Sequence, residues 1–228
     1  EFIVHSDFSG SRKFLDLGNI SEAQFTPKWK QYLNNRKSHL ALNWRFDVSA
    51  SGTNVLAFYS KEDRVFSKMM WVPKAFGKEE SKILSLWFNS SLNLLQILIE
   101  RYPTRGAWLE IFKYIYEEMM VVNPDKISNN QKEKLLEIFE ETREVQFPSL
   151  WKQLAMNCKR KYFSKKEIEE ISKIFDEFKS VLEKDFDPRR RIDEAILSVL
   201  EIENKEKILD KLYPGLLKEI AILKRMMS

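Results

Sequence analysis

Glycine is scarce in this chain, at six in 228 residues, less than half the usual frequency of roughly 7%. The six stand at positions 10, 18, 52, 77, 106 and 215, so no two share a loop. Glycine-rich phosphate cradles need neighbouring glycines whose backbone amides approach a phosphate, and nucleotide chemistry of that kind is excluded. Cysteine and histidine are nearly absent as well. With Cys158, His5 and His39 alone, the usual zinc sets of four Cys and His ligands cannot be assembled within one chain. No disulfide can form within the chain, which suits a reducing compartment. Cys158 reads as an ordinary side chain, because no histidine lies near it in sequence. There is no apolar amino-terminal stretch behind a basic start. The most apolar run, residues 83–99, is interrupted by Ser85, Asn89, Ser90, Ser91, Asn93 and Gln96. The sequence therefore predicts no membrane span, and its thiol usage and missing signal predict a cytoplasmic location. It begins with Glu1 and not methionine, from which a fragment of a longer polypeptide is expected.

Charge and aromatic rings are abundant. Charged residues make up 32% and aromatics 13%, with a net charge of only +4, the profile of a globular protein with a heavily ionised exterior. The first half mixes short apolar or alternating runs at 3–4, 42–48 (LNWRFDV), 55–59 (VLAFY) and 69–72 (MMWV), which read as strands. Ser51-Gly52-Thr53-Asn54 and residues 60–63 supply turn chemistry between them, as in an antiparallel meander. From Lys78 the period changes. Ile83, Leu84, Trp87, Leu94, Leu95, Leu98 and Ile99 recur at three and four residue intervals, predicting one long buried helix closed by Pro103 and Gly106. Residues 107–111 and 115–122 fit strand or helix equally.

Beyond Asn123-Pro124-Asp125 the pattern is helical. Ser164 with Glu167 forms a capping box, a helix starts after Asp187-Pro188, and Pro214-Gly215 is expected to break the last helical stretch. The expected fold is α+β, with residues 1–123 an antiparallel β-rich module carrying one long helix and residues 124–228 an all-helical bundle.

Two windows lack acidic residues. Between Glu22 and Asp47 stand Lys28, Lys30, Arg36, Lys37 and Arg45, interleaved with Phe25, Trp29, Tyr32, Trp44 and Phe46. Between Glu144 and Glu167 stand Lys152, Lys159, Arg160, Lys161, Lys165 and Lys166, with Trp151, Tyr162 and Phe163. Cations beside flat rings suit a polyanion with stackable bases. The same windows also suit plain solvated surface on a lysine-rich protein. Arg189-Arg190-Arg191 reads as a solvated helix start, since Asp187, Asp193 and Glu194 surround it. The adjacent pairs Glu79-Glu80, Glu117-Glu118 and Glu169-Glu170 read as solvated faces, His39 as a structural histidine or a phosphate contact, and no catalytic motif is found.

Several short motifs are familiar. Residues 86–92 (LWFNSSL), 104–108 (TRGAW), Lys113 and 121–124 (VVNP) resemble the target-recognition region of N6-adenine DNA methyltransferases of restriction-modification systems. Residues 55–60 (VLAFYS) and 67–73 (SKMMWVP) resemble strands of that region, and 147–150 (FPSL) and 190–195 (RRIDEA) resemble its helical tail. The resemblance spans roughly residues 38–200. It implies a DNA sequence-recognition portion without the catalytic domain. Methylating members carry a glycine-rich loop for S-adenosylmethionine and an [NDS]-P-P-[YFW] tetrapeptide, whereas the seven prolines here stand singly. The resemblance thus places S-adenosylmethionine on a methyltransferase catalytic domain or subunit outside this chain, with double-stranded DNA as the second partner. The residues expected to meet DNA are Arg36, Lys37, Arg45, Lys68, Lys74, Arg105 and Lys113, the turn arginine Arg105 being free to reach a phosphate or base edge. Within the motifs, Asn89 and Ser90 are expected to hydrogen-bond backbone, Gly106 to serve a tight turn, and Trp71, Trp87 and Trp108 to lie in the core. The alternative is a helical protein-interaction adapter, with an apolar groove in residues 124–228 and no nucleic-acid role.

Overall fold

A computed structural model of the chain describes residues 26–74, 76–102 and 107–227. The expected strand at 3–4 and the turn at Gly106 lie outside them. The fold is α+β, with ten α-helices and five short strands among the described residues. Helix α1 (Pro27–Asn34) opens the described chain, held by Thr26, whose Oγ1 accepts from the Trp29 amide at 3.3 Å, and by Pro27 in its first turn. Strand β1 (Lys37–Asn43) is central in an antiparallel sheet, flanked by β3 (Ala57–Val65) and β4 (Met70–Trp71) in the order β3-β1-β4. Strand β2 (Arg45–Asp47) leaves this sheet and pairs with β5 (Trp108–Glu110). The run 42–48 is therefore shared between two sheets and no simple meander forms. β1 buries Leu40, Ala41 and Leu42 on consecutive positions, as a central strand covered on both faces does.

The expected long helix is two. Helix α2 (Lys78–Asn89) and α3 (Ser91–Glu100) meet at Ser90 with a bend of 63°. The apolar period continues across the break, which is why the spacing alone reads as one helix. Two short side chains terminate it from either side. Ser90 Oγ accepts the Asn93 amide at 3.2 Å and caps α3, while Asn93 Nδ2 donates to Phe88 O at 2.9 Å at the end of α2. Helix α4 (Lys113–Glu118) resolves the ambiguous 115–122 run, and the 107–111 run becomes β5.

The second half is helical. Helices α5 (Asn129–Thr142) and α7 (Lys165–Ile174) both start on capping boxes, Ser128 with Gln131 and Ser164 with Glu167. Between and after them come α6 (Leu150–Met156), α8 (Phe178–Val181), α9 (Asp187–Val199) and α10 (Lys205–Arg225). Pro214 does not break α10. It removes one backbone donor, yet Tyr213, Leu216 and Leu217 around it are buried in the core, and that packing holds the helix together through the proline. Two apolar clusters each draw on both halves of the chain. One joins Val48, Leu94, Leu109, Leu154, Leu209 and Tyr213, and the other joins Leu40, Ile83, Trp87, Leu135, Phe139 and Ile196. No single helix is long and apolar enough to cross a membrane.

Candidate nucleic-acid interface

Pairing of β1 with β3 and β4 brings two acid-free segments together. The first is residues 26–46 of the aromatic and basic window. The second, residues 64–78, has Arg64, Lys68, Lys74 and Lys78 and no carboxylate. At fifteen residues it is too short to stand out in the linear sequence, and only the register, Lys37 opposite Val65 and Ser38 opposite Arg64, sets it beside the first. Together the two segments hold nine cations and no acid. Among the described residues, none of Lys28, Lys30, Arg36, Lys37, Arg45, Lys68 and Lys74 has an ion-pair partner within 4 Å.

Four of the seven expected DNA contacts gather here. Arg36 donates from Nε to Phe66 O at 3.0 Å and from Nη2 to Met70 O at 2.6 Å and to Ser67 O, gripping the loop that carries the exposed Lys68. Partial burial lowers the Arg36 pKa from its ordinary value, against a raising influence from Tyr32. Lys74 Nζ donates to Asn34 O at 2.9 Å and Lys37 O at 2.8 Å, placing a cation at the carbonyl end of α1. Arg36 and Lys74 thus build the surface from beneath, and Lys37 and Lys68 stand out from it. Arg45 and Lys113 lie elsewhere, beyond the far end of β1, whose seven residues span about 23 Å. Arg45 sits 5.5 Å over the Trp108 ring opposite Glu110, and Lys113 pairs with Glu117 at 2.8 Å on α4. Arg105 lies outside the described residues.

The motif residues meet at a different place, the break between α2 and α3. Asn89 Oδ1 accepts the Leu56 and Ala57 amides at 2.7 and 3.0 Å, and its Nδ2 donates to Ala57 O at 2.9 Å, so one side chain replaces a neighbouring strand on β3. Arg189 and Asp193, four apart on one face of α9, clasp the break from the other side. Arg189 Nη1 donates to Asn89 O at the negative end of α2, and Asp193 Oδ1 accepts the Ser91 amide at 2.7 Å at the positive start of α3. Gln153 completes the clasp, accepting Arg189 Nε and Nη2 at 3.0 and 2.6 Å and donating to Asn54 O and Pro148 O.

This corrects the reading of the arginine run as a solvated helix start, because Arg189 is 2% exposed and Asp193 fully buried. The partners that allow burial, Gln153 and Asn89, lie 36 and 100 residues away, where local charge pattern gives no sign of them. Burial raises the Asp193 pKa against the pull of the Arg189 charge and the hydrogen bond from Ser91.

Other candidates are structural. His39 Nδ1 donates to Ser60 O at 3.0 Å, and Cys158 is buried, which raises its pKa far above the ordinary thiol range. Trp87 is in the core, and the partly buried Trp71 ties β4 to Ile111 O through Nε1 at 2.7 Å. A cleft of about 380 Å³ between β3, α2 and α5 is lined by Tyr59, Lys61, Phe139 and Arg143, with Arg143 already paired to Glu140 at 3.1 Å. No cluster of three or more His, Cys, Asp or Glu suited to a metal occurs among the described residues. No family model, no curated protein and no solved structure matches the chain.

Proposed function

We propose that the chain is the DNA sequence-recognition portion of an N6-adenine DNA methyltransferase of a restriction-modification system, with the methyltransferase catalytic domain supplied elsewhere. The observation that carries this reading is the cluster of Lys28, Lys30, Lys37 and Lys68 at one end of the three-stranded sheet, exposed cations with no ion-pair partner within 4 Å among the described residues. A duplex supplies the missing counter-charge through its phosphates, and side chains beside them read base edges. The clasp supports the reading from another direction. Its hydrogen bonds link the segments 55–60, 86–92, 147–150 and 190–195, four of those that resemble the recognition region.

Among the described residues no glycine loop suited to S-adenosylmethionine occurs. Gly52 lies in a turn, Gly77 caps α2 and Gly215 sits inside α10, so no glycine loop forms among them and no methyl-transfer step is assigned to this chain. The adapter reading expects an apolar groove in 124–228, where among the described residues the large exposed apolar side chains are Leu200, Ile222, Met226 and Met227 and a small cleft of about 200 Å³ is lined by Ile171, Ile174, Ala221 and Ile222.

Fluorescence anisotropy of a labelled duplex, titrated at about 50 and about 200 mM salt, tests the proposal. With six phosphate contacts the affinity falls by about a thousandfold over that interval. Absence of binding at the lower salt, or binding indifferent to salt, overturns it.

A further inference from the structure

Helix α1 has no buried residue, which is unusual for a helix of eight. Helices this short do not persist in water on propensity alone. Local devices hold this one. Thr26 and Pro27 fix its start, and the Lys74 ammonium sits on the Asn34 carbonyl at its end. That last contact also anchors α1 to the basic end of the sheet. Its side chains are therefore displayed and not packed. Trp29 is 55% exposed and Tyr32 42%, next to Lys28 and Lys30. Of the described tryptophans, Trp29 is the one with a largely exposed ring, the others being buried or half-buried. Trp29 and Tyr32 meet edge to face, with centroids 5.6 Å apart and planes at 85°, so the two rings do not stack on each other and a ring face stays available.

We infer that α1 is a stacking element for unpaired or unstacked bases, an inference that rests on the DNA reading and narrows it. The charge of the occupant follows from Lys28 and Lys30 on the helix and from Arg36, Lys37 and Lys74 at its end, none of which has an ion-pair partner within 4 Å among the described residues. Its chemistry follows from the rings, since a flat face gains most from another flat face, and the faces of paired bases are hidden within the duplex stack. On an intact duplex Trp29 meets only sugars and groove edges. A base that has left the stack, in a bulge, an opened pair or a single strand, presents its face to the ring, while Lys28 and Lys30 hold the flanking phosphates.

The test compares two labelled DNA probes with the same arms, an intact duplex and one carrying a three-nucleotide bulge. The whole chain is compared with the double variant Trp29→Leu/Tyr32→Leu, in which leucine keeps helix propensity and apolar character but removes the flat faces. The expected result is tighter binding of the bulged probe by between about fivefold and a hundredfold. The variant should lose that preference while keeping its affinity and salt slope on the intact duplex. Because both rings are exposed, its thermal unfolding should match the parent. Equal binding of the two probes by the parent chain, or a preference that survives the double substitution, overturns the inference and leaves α1 to a protein partner. Absence of binding to either probe overturns the DNA reading itself, and this inference with it.

Discussion

At the basic end of the sheet Lys28, Lys30, Lys37 and Lys68 have no carboxylate within 4 Å among the described residues, although Glu62 and Asp63 stand next to Arg64 on β3, whereas in the helical half Lys152, Lys159, Arg190, Arg191 and Lys218 each have one. Lys152 reaches Glu177 at 2.7 Å, Lys159 reaches Asp210 at 2.6 Å, Lys218 reaches Glu167 at 2.7 Å, and Arg191 pairs with Glu141. These pairs run between helices distant in sequence and act as cross-links. The sheet-end cations cross-link nothing, or, like Arg36 and Lys74, bind backbone carbonyls. Lys152 and Lys159 come from the second acid-free window of sequence as Lys28, Lys30 and Lys37 come from the first, yet they are paired and the others are not. Local scarcity of acid therefore says little about electrostatic surroundings, which depend on the element that packs alongside. A cation cluster left without counter-charge repels itself and is relieved by a polyanion from outside.

The sharpest way to break this comparison is Arg189→Met. In the helical half a cation is structural, and this substitution strips Asn89 O and Gln153 Oε1 of their donors in a dry interior and removes the positive charge near the buried Asp193. The expected loss is about 3–5 kcal/mol, which lowers the unfolding temperature of a chain this size by roughly 10 °C. Thermal unfolding measures it directly. A melting temperature within about a degree or two of the parent's would mean that the clasp does not hold the break.

How much of this was legible beforehand divides along the same line. Signals that act within a few residues read correctly from sequence, namely the Ser164 and Glu167 capping box, the helix start at Asp187-Pro188 and the turn at Ser51-Gly52. The backbone role of Asn89 and Ser90 also read correctly, because short polar side chains on an apolar helix have few other uses. Features fixed by distant partners did not. The break at Ser90 keeps the apolar period, Pro214 is overridden by core packing, and Arg189 is buried by a glutamine from another helix. For the interface, the first basic window was visible, but its pairing with residues 64–78 needed the strand register. The separation of Arg45 and Lys113 from the other cations needed the path of β1.

A smaller effect separates the two roles that cations play within the sheet end itself. Single substitutions Lys28→Ala, Lys30→Ala, Lys37→Ala and Lys68→Ala remove exposed side chains and should each change stability by no more than about 0.5 kcal/mol. Each that meets a phosphate should flatten the logarithmic salt dependence of DNA binding by about 0.9. Combined in one protein, the four should lower the slope by up to about 3.6, as read from anisotropy titrations across a salt series. Lys152→Ala and Lys218→Ala in the helical half should leave the slope where it was. If both sets lowered it equally, the charge contrast between the regions would have no bearing on DNA.

The smallest effect is a pH dependence confined to the cross-linked half. Hydrogen bonding from the Lys218 ammonium, then from the Ser164 amide and hydroxyl, pulls the Glu167 pKa from about 4.5 down to about 2. A carboxylate whose pKa is lower in the folded state than in the unfolded chain stabilises the fold above the unfolded value. That contribution is lost as pH falls from about 4.5 toward 2. The pair is more than a third exposed on both sides, so solvent screening holds its share of stability below about 1 kcal/mol. Glu167→Gln keeps the cap geometry but cannot ionise. Unfolding free energies from urea titrations at about pH 6 and about pH 3 should therefore differ less for the variant than for the parent, by up to about 1 kcal/mol. Lys37 and Lys68 have no ion-pair partner within 4 Å among the described residues, so replacing either should leave that difference unchanged. An equal shift from Lys37→Ala and from Glu167→Gln would mean that Lys37 is coupled to an acid such as the nearby Glu62 or Asp63 of β3, and would remove the contrast on which the DNA reading stands.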